Sequence, residues 1–545
     1  MSSAAASSAA ASGVESATAS PVTSRRPAPS NPGATTAATS ASSPGSGTNA
    51  PAHARAPNGS SVAAHEAPAR RRRKYRHIQA IHAESTPSCL SSDAAEQISF
   101  RGFRNLTLIV LVAGNLRLMI ENIQKYGVLV CFRCHDFRRN DVKLGLWLYF
   151  LIPVHLVVAF AIERFAAKRA KATRLRAEQP TGTSSPTEDE HRKFQSTWKT
   201  AWMAHAANVT IALGYTTYIV YYKIHHPLIG TLTIAHAIVV WLKAASYAFT
   251  NRDLRHAFLY PSKGAVDALP EIYNTCPYPQ NITLGNLVYF WWAPTLVYQP
   301  VYPRSDRIRW LFVIKRVGEV VGLTVFMWFC SAQWAAPVLR NSFDKMASLD
   351  LFAILERLLK LSTISLVVWL AGFFALFQSF LNALAEITQF GDRDFYEPWW
   401  NSESLGTYWR TWNKPVYGFF RRHIYSPMRA RGFSHKTASA VVFLISAILH
   451  EILVGAPTHN LIGIAFGGML VQLPLITMTD FITKKESPAW KAFGNVVFWL
   501  TFTIFGQPFA ALCYFYAWQA KYGSVGRMID QQQQSLAAGI QPVAA

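Results

Sequence analysis

The sequence predicts an all-α polytopic membrane protein, and three observations carry that reading. Runs of roughly 18 to 25 mostly apolar residues, long enough to cross a bilayer as helix, recur from about residue 100 onward. Half of the 545 residues are hydrophobic and mean hydropathy is +0.12, although the first hundred residues hold almost no large apolar side chains. Basic residues gather in alternate loops between the runs, as the positive-inside rule requires of a multi-pass chain.

In chain order, residues 1–100 are rich in Ala, Ser, Pro, Thr and Gly. Such a stretch buries too little surface to offset its ordering entropy, so a disordered tail is expected. Its start, MSSAAASSAA, lacks the basic-then-apolar pattern of a secretory signal peptide. Arg25, Arg26 and Arg55 in an acid-poor tail give a weak likeness to a transit peptide, but low-complexity tails look alike, and the first span is the expected targeting signal. Candidate spans are 105–124, 144–163, 202–222, 228–247, 312–337, 361–385, 438–455, 460–481 and 495–518. The membrane domain thus runs over 101–525, and 526–545 is a C-terminal tail.

The run RRRRK at Arg70–Lys74 ahead of the first span favours a cytosolic N-terminus. Loops 164–201, 248–311, 386–437 and 482–494 then face the cytosol, and the basic first and third agree with that. The loop 125–143 fits less well, because Lys125, Arg133, Arg138, Arg139 and Lys143 fall on the lumenal side. Two cytosolic loops carry NLVYFWWAPTL and FYEPWWNSES, whose aromatic density suits interfacial segments. The formal charge of +23 calls for an anionic partner. A chain this apolar points to lipid headgroups or a phosphate-bearing substrate rather than nucleic acid. Cys131-Phe-Arg-Cys134 has the spacing of a redox or zinc pair, but no second pair completes a site.

The stretch LISAILHEILVG, residues 444–455, sets an imidazole and a carboxylate in an otherwise apolar span. An ionisable group at such depth is costly and is a functional candidate by default. His450 lies about 18 Å along a helix starting near Ala438, too deep for so short a side chain to reach water. The bland alternative is a neutral core histidine bonded to a neighbouring helix. A HExxH zinc site fails, because the second histidine position is Val454. Glu451 points about 100° away from His450 around the helix, toward another helix. Gln472 and Gln507 add polar groups in the next two spans, and Gly467 and Gly468 leave room beside Met469 and Gln472. Gly506-Gln507-Pro508 breaks the last span. A neutral imidazole in an apolar cavity suits general-base work. With no G-x-S-x-G elbow or Walker loop, direct attack by a substrate hydroxyl or amine is expected.

The segments FYEPWWNSES (395–404), LHEILVG (449–455), GMLVQLPL (468–475) and GQP (506–508), with NLRLMIENIQKYG (115–127) and the block 278–309, resemble membrane-bound O-acyltransferases. Within that family the likeness is to the type 1 acyl-CoA:diacylglycerol acyltransferases, collinear from about residue 100 to 525. The resemblance implies a bundle of about nine spans with interfacial helices in the endoplasmic-reticulum membrane, as a homodimer or homotetramer. It implies transfer of an acyl chain from acyl-CoA to diacylglycerol, giving triacylglycerol, with acyl-CoA a substrate and no cofactor. The family's catalytic histidine falls on His450, and its tunnel polar residues on Asn401, Glu451, Gln472 and Gln507, with Met469 beside them. The acyl-CoA-binding stretch falls on Phe395, Tyr396, Trp399, Trp400 and Asn401, and basic Arg421 and Arg422 would face CoA. One departure is Pro398, which stands where the family has Asp and removes a carboxylate and a backbone donor. Two alternatives stay open: a sterol O-acyltransferase of the same superfamily, and a transporter using His450 and Glu451 as a proton relay.

Overall fold

A computed structural model describes residues 101–130, 138–177, 188–261, 269–484 and 487–521. The N-terminal tail with its RRRRK run and transit-like arginines, the Cys131–Cys134 pair and the tail 526–545 lie outside the described residues. The described chain is helical, and its only β-type pairing is an isolated bridge between Arg304 and Phe390.

Each of the nine predicted spans falls largely on helix, although 460–463 is loop ahead of α12, and seven of them are both long and apolar enough to cross a membrane. The two that fall short are α4 (Glu188–Lys223) and α7 (Trp310–Cys330). Both have the length, but the α4 span holds His205, Asn208, Thr210, Thr216 and Thr217, and α7 carries Lys315, Arg316 and Glu319. The other helices used below are α1 (Arg101–Tyr126), α2 (Arg139–Leu151), α3 (Val154–Ala177), α5 (Pro227–Leu259), the short α6 (Leu284–Trp292), α8 (Leu351–Phe373), α9 (Leu405–Thr411), α10 (Lys414–Phe420), α11 (His435–Gly455), α12 (Ile464–Thr483) and α13 (Pro488–Leu500). Pro153 bends one apolar run into α2 and α3. The outer faces are strongly apolar: Leu111, Phe150, Leu232, Leu311 and Phe481 are all more than half exposed. Apolar exposure on this scale suits lipid rather than water. The chain is a multi-pass membrane protein.

The helices α3, α4 and α5 pack on one another around charges that the sequence reading passed over. Glu163 is fully buried; it accepts from Arg255 Nη1 at 2.7 Å and pairs with His205 Nε2 at 3.0 Å. His155 and Asn208 bond reciprocally between α3 and α4. Lys243 buries its ammonium under α6, donating to the Phe290 and Ala293 carbonyls at 2.8 Å each. Those carbonyls are the ones a helix C-terminus leaves without intrahelical partners. A buried charge is tolerated only when bonded in this way.

Among the described residues four π-helical turns interrupt longer helices: Ser331–Ala335 after α7, Phe374–Phe380 after α8, Arg421–Tyr425 after α10 and Thr501–Gly506 after α13. The last precedes Gln507-Pro508, so the predicted break is a π-turn within one continuous run, Pro488–Lys521. A missing amide at Pro508 is absorbed by widening the helix instead of ending it. Gln333 in the first π-turn holds the end of α1, donating to Asn122 Oδ1 and the Gly127 carbonyl at 2.9 Å.

Candidate active site

His450 sits three-quarters of the way along α11. Leu449, one step before it, is buried against Leu242 of α5 and Phe419 and Phe420 of α10. That packing fixes the helix face, and His450, turned about 100° from it, is half-buried. Its Nδ1 lies 2.8 Å from the Ser446 carbonyl. A carbonyl only accepts, so Nδ1 carries the proton and Nε2 keeps its lone pair. Among the described residues Nε2 has no hydrogen-bond partner.

Glu451 does something different. Its Oε1 accepts from the Gly463 amide at 2.9 Å, and Oε2 from the Phe466 amide at 3.1 Å and the Tyr514 hydroxyl at 2.7 Å. Gly463, at φ 78°, turns the chain into α12 in a conformation that favours glycine. The carboxylate therefore caps α12, where exposed amides and the helix dipole favour an anion. It ties α11, α12 and the last helix together, which agrees with the expectation that it faces another helix.

The remaining predicted residues fall on four elements: α12, the run that follows α13, the 395–401 stretch and the third π-turn. On α12, Met469 is buried, and Gln472 accepts from Trp409 Nε1 at 3.2 Å while donating to the Gly468 carbonyl. Trp409 in α9 also packs edge-on to Phe443, two turns before His450, so one indole bridges α11 and α12. A Cβ at Gly467 or Gly468 would meet open space. Gln507 follows the π-turn after α13 with its side chain exposed.

The stretch 395–401 divides by burial. Phe395 and Trp399 are 2% and 1% exposed. Trp399 packs against Trp369, Phe373, Tyr408 and Phe498, with ring centroids 5.1 to 6.4 Å apart. Rings enclosed on every side support the segment from beneath. Tyr396 donates to Gln378 of the second π-turn at 2.7 Å. Trp400 and Asn401 are exposed, and the Trp400 carbonyl accepts from Asn495 and Trp499 of α13. Pro398 leads a single 3-10 turn, Trp399–Asn401. Its neighbour Glu397 is a carboxylate held by Lys414 at 2.5 Å, and Asp394 binds the same ammonium.

Arg421 and Arg422 stand exposed on the third π-turn. His423 beside them was not singled out in the sequence. Its Nε2 lies 2.7 Å from Ser246 Oγ, which itself accepts from the Tyr298 amide at 2.8 Å. Burial, then the neighbouring Arg422, push this imidazole down to about 4. The ring is therefore neutral, and Ser246 Oγ, with one hydrogen and a second lone pair, meets Nε2 in either tautomer.

Comparison with known proteins agrees with this layout. The model of the membrane-bound O-acyltransferase family matches residues 198–516, a span that includes the stretch 395–401, His450, Gln472 and Gln507. Diacylglycerol O-acyltransferase 1A of Glycine max is 36% identical over 448 residues, 81% of this chain and 83% of its own length. Diacylglycerol O-acyltransferase 1 of Arabidopsis thaliana is 34% identical over 458 residues, covering 83% and 79%. That of Dictyostelium discoideum is 32% identical over 429 residues, covering 79% and 64%. The chain belongs to the membrane-bound O-acyltransferase family.

Proposed function

We propose that this protein transfers the acyl group of acyl-CoA to the free hydroxyl of 1,2-diacylglycerol, giving triacylglycerol and CoA. The observation that carries the reading is the His450 imidazole, held by Nδ1 in the apolar span with Nε2 unpartnered. In the reaction Nε2 takes the hydroxyl proton as the oxygen attacks the thioester carbonyl. The tetrahedral adduct collapses, the carbon–sulfur bond breaks, and the proton on Nε2 passes to the departing thiolate. Asn401, Gln472 and Gln507 are amides with donors to spare for the carbonyl oxygen and the glycerol backbone. They are spread over separate elements and none bonds another among the described residues. Arg421 and Arg422 offer cations to the anionic nucleotide, while the acyl tail and diacylglycerol stay in lipid. Several relatives named as diacylglycerol O-acyltransferases support the acceptor. We place the protein in the endoplasmic-reticulum membrane with a cytosolic N-terminus, as a homodimer or homotetramer.

The test offers radiolabelled oleoyl-CoA with diacylglycerol or a sterol to membranes carrying the chain. Labelled triacylglycerol and no sterol ester is the expected result; sterol ester as the main product would reassign the acceptor. A His450-dependent solute flux without any acyl transfer would instead favour the transporter.

A further inference from the structure

The basic loop that fits the positive-inside rule poorly has a structural counterpart. A cavity of about 400 Å³ is lined by Arg138, Arg139, Asn140, Asp141, Lys223 and His225. It sits where α2 begins and where α4 turns into α5. Asp141 is 1% exposed and spends its Oδ2 on the amides of His225 and His226, at 3.2 and 3.0 Å. That contact ties the start of α2 to the α4–α5 turn and gives the cavity a fixed wall. Arg138, Arg139 and Lys223 are exposed, and none has an acidic partner among the described residues. Arg138 supplies no side-chain cap to α2, whose first amides add to the positive potential. Three cations thus face one carboxylate that is already engaged.

The position is remote from the arginines placed against CoA. Ser246, which bonds to His423 beside Arg421 and Arg422, is nineteen residues along α5 from Pro227, roughly 28 Å at 1.5 Å per residue. That is about the thickness of a bilayer's hydrocarbon core, so the cavity lies at the opposite membrane surface from those arginines. Next to it on α4 and α5, Tyr222, Leu228 and Leu232 are all more than half exposed. A cationic rim joined to a lipid-facing apolar wall fits an amphipathic anion, not a free one.

We propose that this cavity binds the phosphate head group of a membrane phospholipid, its acyl chains lying along the apolar wall. Arg139, Lys223 and the Asn140 amide would contact the phosphate oxygens. The site takes no part in acyl transfer and does not depend on which acceptor the protein uses.

The full chain is reconstituted in detergent micelles with phosphatidylglycerol or an uncharged glycolipid of equal chain length, and native mass spectrometry counts the lipids retained. We expect one phosphatidylglycerol per chain to outlast delipidation and the glycolipid to wash away. The double variant Arg139→Gln, Lys223→Gln should weaken retention at least tenfold, as should Asn140→Asp, which sets a carboxylate on the rim at nearly constant size. Acyl transfer by both variants should stay near wild type, showing that they fold, and Arg421→Gln, Arg422→Gln should leave retention unchanged. Equal retention of both lipids, or retention indifferent to both rim variants, would overturn the site. Displacement of the lipid by millimolar inorganic phosphate would overturn its assignment to a phospholipid.

Discussion

The bond from His450 Nδ1 to the Ser446 carbonyl decides which nitrogen a substrate meets, and Ser446 is one helical turn earlier on the same element. The base is thus oriented by its own helix, without a carboxylate behind it. Glu451, next in sequence, has its oxygens bonded by two amides and a hydroxyl. Glu451→Gln should cost about 2 kcal/mol, the usual worth of hydrogen bonds to a charged group. The measurement is the thermal unfolding midpoint beside KM for acyl-CoA: we expect the midpoint to fall with KM little changed, and a raised KM at constant midpoint would make Glu451 a substrate contact. His423 gives a pH signature. Its folded value of about 4 lies below the ordinary 6.5, so between those values the unfolded chain binds a proton that the native one does not. Stability conferred by the neutral ring is present above 6.5 and is lost as pH falls toward 4. Replacing His423 with Gln should flatten the midpoint-versus-pH curve in that window. His450 was legible in the sequence because an imidazole stood alone in an apolar run. Glu163 and Arg255 were not, because predicted boundaries put one at the end of a span and the other in a loop. The real helices continue past both and bury them.

Among the elements, the aromatic stretch after α8 is held by backbone contacts that no periodicity could announce. Gly494 of α13 lies so close to the 399–404 segment that a Cβ there would be 2.1 Å from the Glu403 carbonyl. Gly494→Ala should push α13 off that segment, breaking the Asn495 and Trp499 bonds to the Trp400 carbonyl and lowering acyl transfer and stability together. Altered protease sensitivity of the 395–404 stretch would show the displacement; an unchanged digest with full activity would contradict it. On the other side of the bundle, Glu163→Gln removes the buried partner of Arg255, and leaving one charge of a buried pair alone costs about 3–5 kcal/mol. Loss of folded protein on mild heating checks this, and a wild-type melting curve would refute it. The π-turns were not legible either. The sequence marks Gly506-Gln507-Pro508 as a disturbance but does not say whether the helix ends or widens, and packing of Phe502 against Trp369 and Trp399 accompanies the widened form.

At the scale of the whole molecule, the fold class was plain from composition, because only helices satisfy their own backbone in lipid without closing a barrel. The span count was harder to read, since α4 and α7 mix apolar faces with polar or charged residues and sit near the threshold that separates a spanning from a packed helix. The arrangement left by these helices is asymmetric. One end carries the exposed Arg421–Arg422 turn and the aromatic stretch, and the other carries the cation-lined cavity at the α4–α5 turn. His450 lies between them on α11, in the region matched by the family model. Acyl-transfer assays of wild type and His450→Ala, with oleoyl-CoA and diacylglycerol at matched protein levels, test the central claim most directly. Loss of general-base catalysis should lower triacylglycerol formation about 10²–10⁴-fold with the melting curve retained. Synthesis by His450→Ala at the wild-type rate would contradict the account.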